Sequence, residues 1–187
     1  MKNNLQTVYS YFSHHMRNCT AMIATSVTLL SHKMSNDEER LFNEVIESSF
    51  LLDLFDRGMH ICFQEVFEDT TEYTDTLNLE QAVLHFVVQC KSLMEEKGVK
   101  LNLHVGSPAM ISGQVHEIRT LTNIIMYELI NQTHVILTGK LINKKLTVTA
   151  DGQVVVPEIW ALFKQILGKH NVRFEYIKNR CVLEFNV

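Results

Sequence analysis

Two four-three repeats of apolar residues constrain this chain more than any other feature. Leu5, Tyr9, Phe12, Met16, Cys19, Ile23, Ser26 and Leu30 form the first; Leu41, Val45, Ser48, Leu52, Phe55, Met59, Cys62 and Val66 form the second. Residues at that spacing fall on one stripe of a helix, so each repeat predicts a long helix with an apolar seam. Between them lies KMSNDEER, in which Ser35 is placed to cap the second helix and Glu38 follows at the capping-box spacing. Acidic residues there also suit the positive end of the helix dipole. So short a link makes the two helices antiparallel neighbours. A lone hairpin cannot cover its own apolar surface, and Phe42, Ile46, Phe50, Leu51 and Leu54 widen that surface on the second helix. A homodimer that completes a four-helix bundle through residues 1–68 is expected, with packing of the hairpin on the rest of its own chain as the alternative.

A polar stretch, Glu68 to Thr76, marks a boundary. Beyond it, over residues 77–187, the pattern alternates between helix and strand. Leu79 to Lys97 has helical periodicity and stops at Gly98. Val99 to Val105 alternates as a strand does, and Gly113 to Thr133 reads as a long helix. HVILTGKL and KKLTVTA are strands around a turn at Ile142 to Lys144. Pro157 opens a helix reaching about Gly168, and the chain closes on a hairpin that turns near Lys178 and Asn179. The fold expected is α+β: a helical hairpin, then an α/β two-layer sandwich of roughly three helices on a mixed or antiparallel sheet of about five strands.

Composition removes several function classes. Net charge is −4 and the pI is about 6.1, which lacks the basic footprint of a general nucleic-acid binder. No stretch approaches the roughly 18 uncharged apolar residues of a membrane span. Cys19, Cys62, Cys90 and Cys181 form no CxxC pair and read as reduced, buried thiols, so a soluble cytoplasmic protein is expected. His32, His60, His85, His104, His116, His134 and His170 have no metal-ligand spacing, and no metal is expected. Trp160 reads as a core anchor of the last helix.

The chemistry concentrates in YFSHHMRNC, Tyr11 to Cys19. Helical phase puts His15 beside the seam, on the line Val8, Phe12, Cys19, Met22. It puts His14 one step toward solvent, on the line Thr7, Tyr11, Asn18, Ala21. Asn18 is then one turn beyond His14 on the same face, and Arg17 lies three residues on. A neutral imidazole beside an amide and a guanidinium suits nucleophilic work on a phosphoryl group. Paired histidines on a helix surface are also common without any chemistry.

SHHMRNCTAMI, Ser13 to Ile23, resembles the phosphoacceptor box of sensor histidine kinases, which runs Ser-His-Glu-Leu-Arg-Thr/Asn-Pro-Leu in many members. Ser13, His14, Met16, Arg17 and Asn18 match in type and order, whereas His15 replaces the acidic residue and Cys19 the proline. The resemblance implies that His14 is phosphorylated, with Asn18 and Arg17 as its catalytic partners, on a dimerisation hairpin followed by an ATP-binding-like domain. YELINQT is similar to the Glu-Leu-Ile-x-Asn-Ala helix segment, with Gln132 where the magnesium-holding asparagine stands. TVTADGQVV resembles the adenine-reading Asp-x-Gly-x-Gly strand, with Asp151 at the aspartate and Gln153 and Val155 at the glycines.

The seven glycines decide what that second domain is for. No two are closer than seven residues, so the chain has no G-x-G loop of the kind that lets backbone approach phosphates. Asp151 also runs almost directly into the Pro157 helix, which leaves no room for an ATP lid. The expectation is a degenerate relative: a histidine phosphotransferase that takes phosphate from a receiver aspartate onto His14 and passes it to another receiver. It binds no nucleotide, Gln132 and Asp151 being remnants, and needs no cofactor beyond the Mg²⁺ of the partner response-regulator receiver domain. The alternatives are a non-catalytic dimeric adaptor that binds a kinase or response regulator, and a divergent active histidine kinase or phosphatase.

Overall fold

The structure, a computed structural model, describes residues 2–31, 38–67, 74–106, 109–132, 136–151 and 154–186. Its first two elements are the expected helices, α1 (Lys2–Ser31) and α2 (Glu38–Phe67). Glu38 and Glu39 stand in the first turn of α2; the cap expected from Ser35 lies outside the described residues. The helices run antiparallel. Phe12 meets Phe55 toward one end, with ring centroids 6.4 Å apart, and Ser26 donates to Glu44 Oε2 at 3.0 Å toward the other.

Every position of the two predicted seams is buried or half-buried except Tyr9, which is 65% exposed, but the buried arc is wider than the seams. On α1 it adds Val8, and on α2 it adds Leu51, Leu54 and Ile61. The widening has a cause: the hairpin packs against its own chain as well as against itself. Gly58 lies at this contact. A Cβ there would stand 2.4 Å from Ile124 Cδ1 and 2.9 Å from Phe12 Cε1, so a larger residue would have to push those side chains aside.

The remaining elements are β1 (Asp75–Asn78), α3 (Leu79–Gln89), α4 (Lys91–Lys97), β2 (Lys100–Val105), β3 (Met110–Gly113), α5 (Val115–Ile130), β4 (Ile136–Ile142), β5 (Lys145–Asp151), α6 (Trp160–Lys169), β6 (Val172–Ile177) and β7 (Arg180–Phe185). Five strands form one sheet in the order β2-β4-β5-β7-β6, with β2 and β4 parallel and the other neighbours antiparallel. The parallel pair is the one whose connection carries a helix, α5, as a crossover requires. The β4–β5 turn has both central residues, Asn143 and Lys144, at positive φ, the twist-matched two-residue hairpin. β1 pairs with β3 in a separate two-stranded ribbon that sequence periodicity does not reveal.

The helix expected over Leu79–Lys97 is two. Asn78 caps α3, its Oδ1 accepting from the Glu80 and Gln81 amides at 3.0 and 3.3 Å. The chain breaks at Cys90, and α4 ends where predicted, on Gly98 at φ 66°. Glu47 of α2 explains the restart: both of its carboxylate oxygens accept from the Leu93 amide, at 3.0 and 3.1 Å, serving an α4 amino end that its own residue Cys90 does not cap. Burial pushes the Glu47 carboxyl up to about 7.

Helix α5 is the centre. All ten residues from Leu121 to Ile130 are buried, because the helix is surrounded by α2, α3, α4, α6 and β1 and shares the core with the sheet. One continuous core joins Phe12 and Phe55 of the hairpin to Ile124 of α5, Phe163 of α6 and Leu146 of the sheet. Trp160 is buried edge-on against Phe174 and Tyr176. All four cysteines are buried free thiols.

Candidate functional site

Helix α1 presents the two adjacent histidines to different surroundings. His14 is exposed. Its Nε2 lies 3.2 Å from Asn18 Nδ2, one turn on, as their phase predicts. With the amide nitrogen donating, Nε2 is the accepting nitrogen and the ring proton sits on Nδ1, so Nε2 becomes the nucleophile once the amide lets go. Arg17 is turned back along α1, its Nε donating to the Ser13 carbonyl oxygen at 3.0 Å, so it is not drawn to the His14 ring.

His15 faces inward, with 11% of its side chain exposed. Its ring stacks on Phe55, centroids 4.6 Å apart and planes 19° from parallel, and its Nε2 is 3.2 Å from Glu128 Oε1 on α5. Tyr11 completes the cluster by donating its hydroxyl to the same oxygen at 2.5 Å. Burial and the Glu128 carboxylate hold the Tyr11 phenol well above its ordinary pKa, so it stays a donor. Tyr11 is therefore part of the interior, although helical phase groups it with His14.

Of the positions on the second domain, Gln132 folds back onto its own helix, its Nε2 donating to the Glu128 carbonyl oxygen at 3.0 Å. Asp151 is exposed at the end of β5. Sequence reasoning missed Glu128. The available signal was a lone carboxylate in the otherwise uncharged run TLTNIIMYELI, where an acid must have a partner.

A cleft of about 750 Å³ opens beside Asn18, between α1, α2 and α4, lined among others by Met22, Glu44, Glu47, Glu96 and Tyr127. Glu39 and Glu95 also line it, and Arg40 pairs with Glu44, so its rim is acidic. Among the described residues no group of three or more His, Cys, Asp or Glu is placed to hold a metal ion. His170 is paired with Glu117 at 2.7 Å. No helix among the described residues is long and apolar enough to cross a membrane.

No family model and no curated protein sequence matches this chain. Solved structures do match its shape. The Acinetobacter baumannii histidine kinase AdeS aligns with a TM-score of 0.54 at 9% identity, covering 93% of this chain and 98% of that one. The cytoplasmic segment of histidine kinase QseC aligns with a TM-score of 0.60 at 8% identity, covering 76% of this chain and 94% of that one. Full-length ShkA in complex with AMPPNP aligns at 0.50 and 11% identity; 95% of this chain covers 44% of that one. At such identities the likeness speaks to architecture alone: a helical hairpin followed by an α/β sheet domain, the fold of histidine-kinase cytoplasmic segments.

Proposed function

We propose that this protein is a histidine phosphotransferase of a two-component phosphorelay, with His14 as the phosphoacceptor. The observation that carries this reading is the exposed His14 ring, with Nε2 at 3.2 Å from the Asn18 amide, on the hairpin of a histidine-kinase fold. A response-regulator receiver domain bearing an aspartyl phosphate and its own Mg²⁺ docks over α1. The Nε2 lone pair leaves the Asn18 amide and forms the N–P bond while the P–O bond to the aspartate breaks, its electron pair leaving on that carboxylate. The ring proton stays on Nδ1. Reversal onto a second receiver completes the relay. The receiver supplies the charge neutralisation, and this chain supplies a nucleophile in fixed position. Asn18 is placed to donate to a phosphoryl oxygen once the group has moved. The cleft beside it, with its acidic rim, suits a basic element of the docked partner.

One feature supports a relay without ATP: the chain has no G-x-G loop. The dimer belongs to this reading as well. Tyr9 and Val27 of α1 and Phe42, Ile46 and Phe67 of α2 remain between 45% and 65% exposed on the hairpin, an apolar band that a second copy would cover.

The test is incubation of wild type and His14→Gln with receiver domains phosphorylated by acetyl phosphate. Label on wild type alone, with receiver binding retained by the variant, is the expected result. Binding without label on either protein makes the chain an adaptor, and self-labelling from Mg-ATP makes it a kinase.

A further inference from the structure

The second histidine has no part in the transfer just described, yet it is the more firmly held of the two. Phe55 lies flat beneath its ring, and Tyr11 and Tyr127 stand at its sides with centroids 4.6 and 5.6 Å away. Its Nε2 reaches Glu128, which is 6% exposed within the most buried stretch of α5. A carboxylate in such a place is stable only with donors directed at it. Here the Tyr11 hydroxyl donates to it and the His15 ring lies against it, Nε2 at 3.2 Å, and both residues come from α1. The central helix of the α/β module thus grips the helix of the hairpin at the residue adjoining His14.

His14 needs such a neighbour. An exposed side chain on a helix exchanges among rotamers, and a nucleophile that does so spends little time aligned for attack. Two groups restrict its ring. Asn18 does so from one turn away, but is itself exposed. The His15 ring does so from the adjacent position, edge-to-face at 5.5 Å and 75°, and is clamped on its far side. We infer that His15 is a positioning residue: held by Glu128 and Tyr11, it is the fixed wall that keeps the His14 ring where Nε2 meets Asn18 and an incoming phosphoryl group. The α/β module then contributes to transfer through one carboxylate. His15 is not a second acceptor, because its ring is enclosed among Phe55, Tyr11 and Tyr127 and only 11% of its side chain is exposed. The inference rests on the reading of His14 as phosphoacceptor.

The experiment uses the full chain, the receivers that label wild type, and the variants Glu128→Gln, His15→Phe and His15→Gln. The first keeps the shape of the carboxylate, the second keeps the stack on Phe55, and the third guards against a packing defect in the second. Rapid-quench transfer at varied receiver concentration is expected to give a maximal rate about tenfold lower in Glu128→Gln and His15→Phe, with the half-saturating concentration changed less than about twofold. Long-range ¹H–¹⁵N imidazole spectra, which need no receiver, are expected to give one tautomer pattern for His14 in wild type and an averaged one in the variants. Unchanged maximal rates overturn the inference. So does a loss confined to half-saturation, or a loss of thermal stability with the His14 pattern intact. Absence of label on wild type instead overturns the phosphoacceptor reading itself, a separate result.

Discussion

The two sides of the hairpin contrast sharply. One side carries Phe12, Phe55, Gly58, Tyr11 and His15, enclosed against α5 and α6. The other carries His14, Asn18, Phe42 and Ile46, left open. Both are made from the same two helices, and on α1 the boundary runs between consecutive residues. Apolar content does not divide the sides, since Phe42 is 59% exposed and Phe55 is fully buried. What divides them is whether the chain itself supplies the partner. The buried side determines stability. The open side is available for encounter.

Substitutions should separate the two sides cleanly. The largest effect belongs to the open side: His14→Gln is expected to abolish labelling by phosphorylated receivers, while the melting temperature stays within about 2 °C of wild type. A large loss of stability in this variant would break the contrast. On the buried side Phe55→Ala is expected to cost about 3–5 kcal/mol in denaturant unfolding, because the ring fills core between three helices. It also removes the seat of His15, so whatever folded protein remains should transfer slowly.

Next comes the apolar band. Phe42→Glu together with Ile46→Glu is expected to halve the mass seen by sedimentation, with less than about 1 kcal/mol of change in the stability of the monomer. An unchanged mass would mean that the open side meets a different partner or none.

The smallest effect tests Glu47, which sits where the cleft meets the interior. The folded chain holds its proton more tightly than the unfolded one, whose carboxyl titrates at about 4.3. Its contribution is therefore full below that value and is lost as pH rises through about 7. Glu47→Gln keeps an acceptor for the Leu93 amide. Its stability should match wild type at about pH 4 and exceed it by about 1–2 kcal/mol at about pH 8.

Local signals were legible in the sequence wherever the determinant was local. The two helices, the stop at Gly98 and the Asn143–Lys144 turn follow from period and from residues suited to their own backbone. The exposure of His14 and its meeting with Asn18 followed from helical phase alone. Long-range determinants were not legible. The break at Cys90 is served by a carboxylate 46 residues away. Tyr11 is drawn inward because a third partner, the α/β module, widens the buried arc around α1. Glu128 could be seen as an oddity in an apolar run, but not as the partner of a tyrosine 117 residues before it. The ribbon of β1 and β3 escaped because DTLN has no strand pattern of its own and is defined by its pairing.

The core that α5 shares with its neighbours also governs time. Hairpin, α5, α6 and sheet contribute to one buried cluster, so parting them means exposing that core to water. For a relay of the kind proposed, no swinging domain sets the pace. The clock is the traffic of partners, so throughput should scale with how many receivers are present and how quickly each one departs.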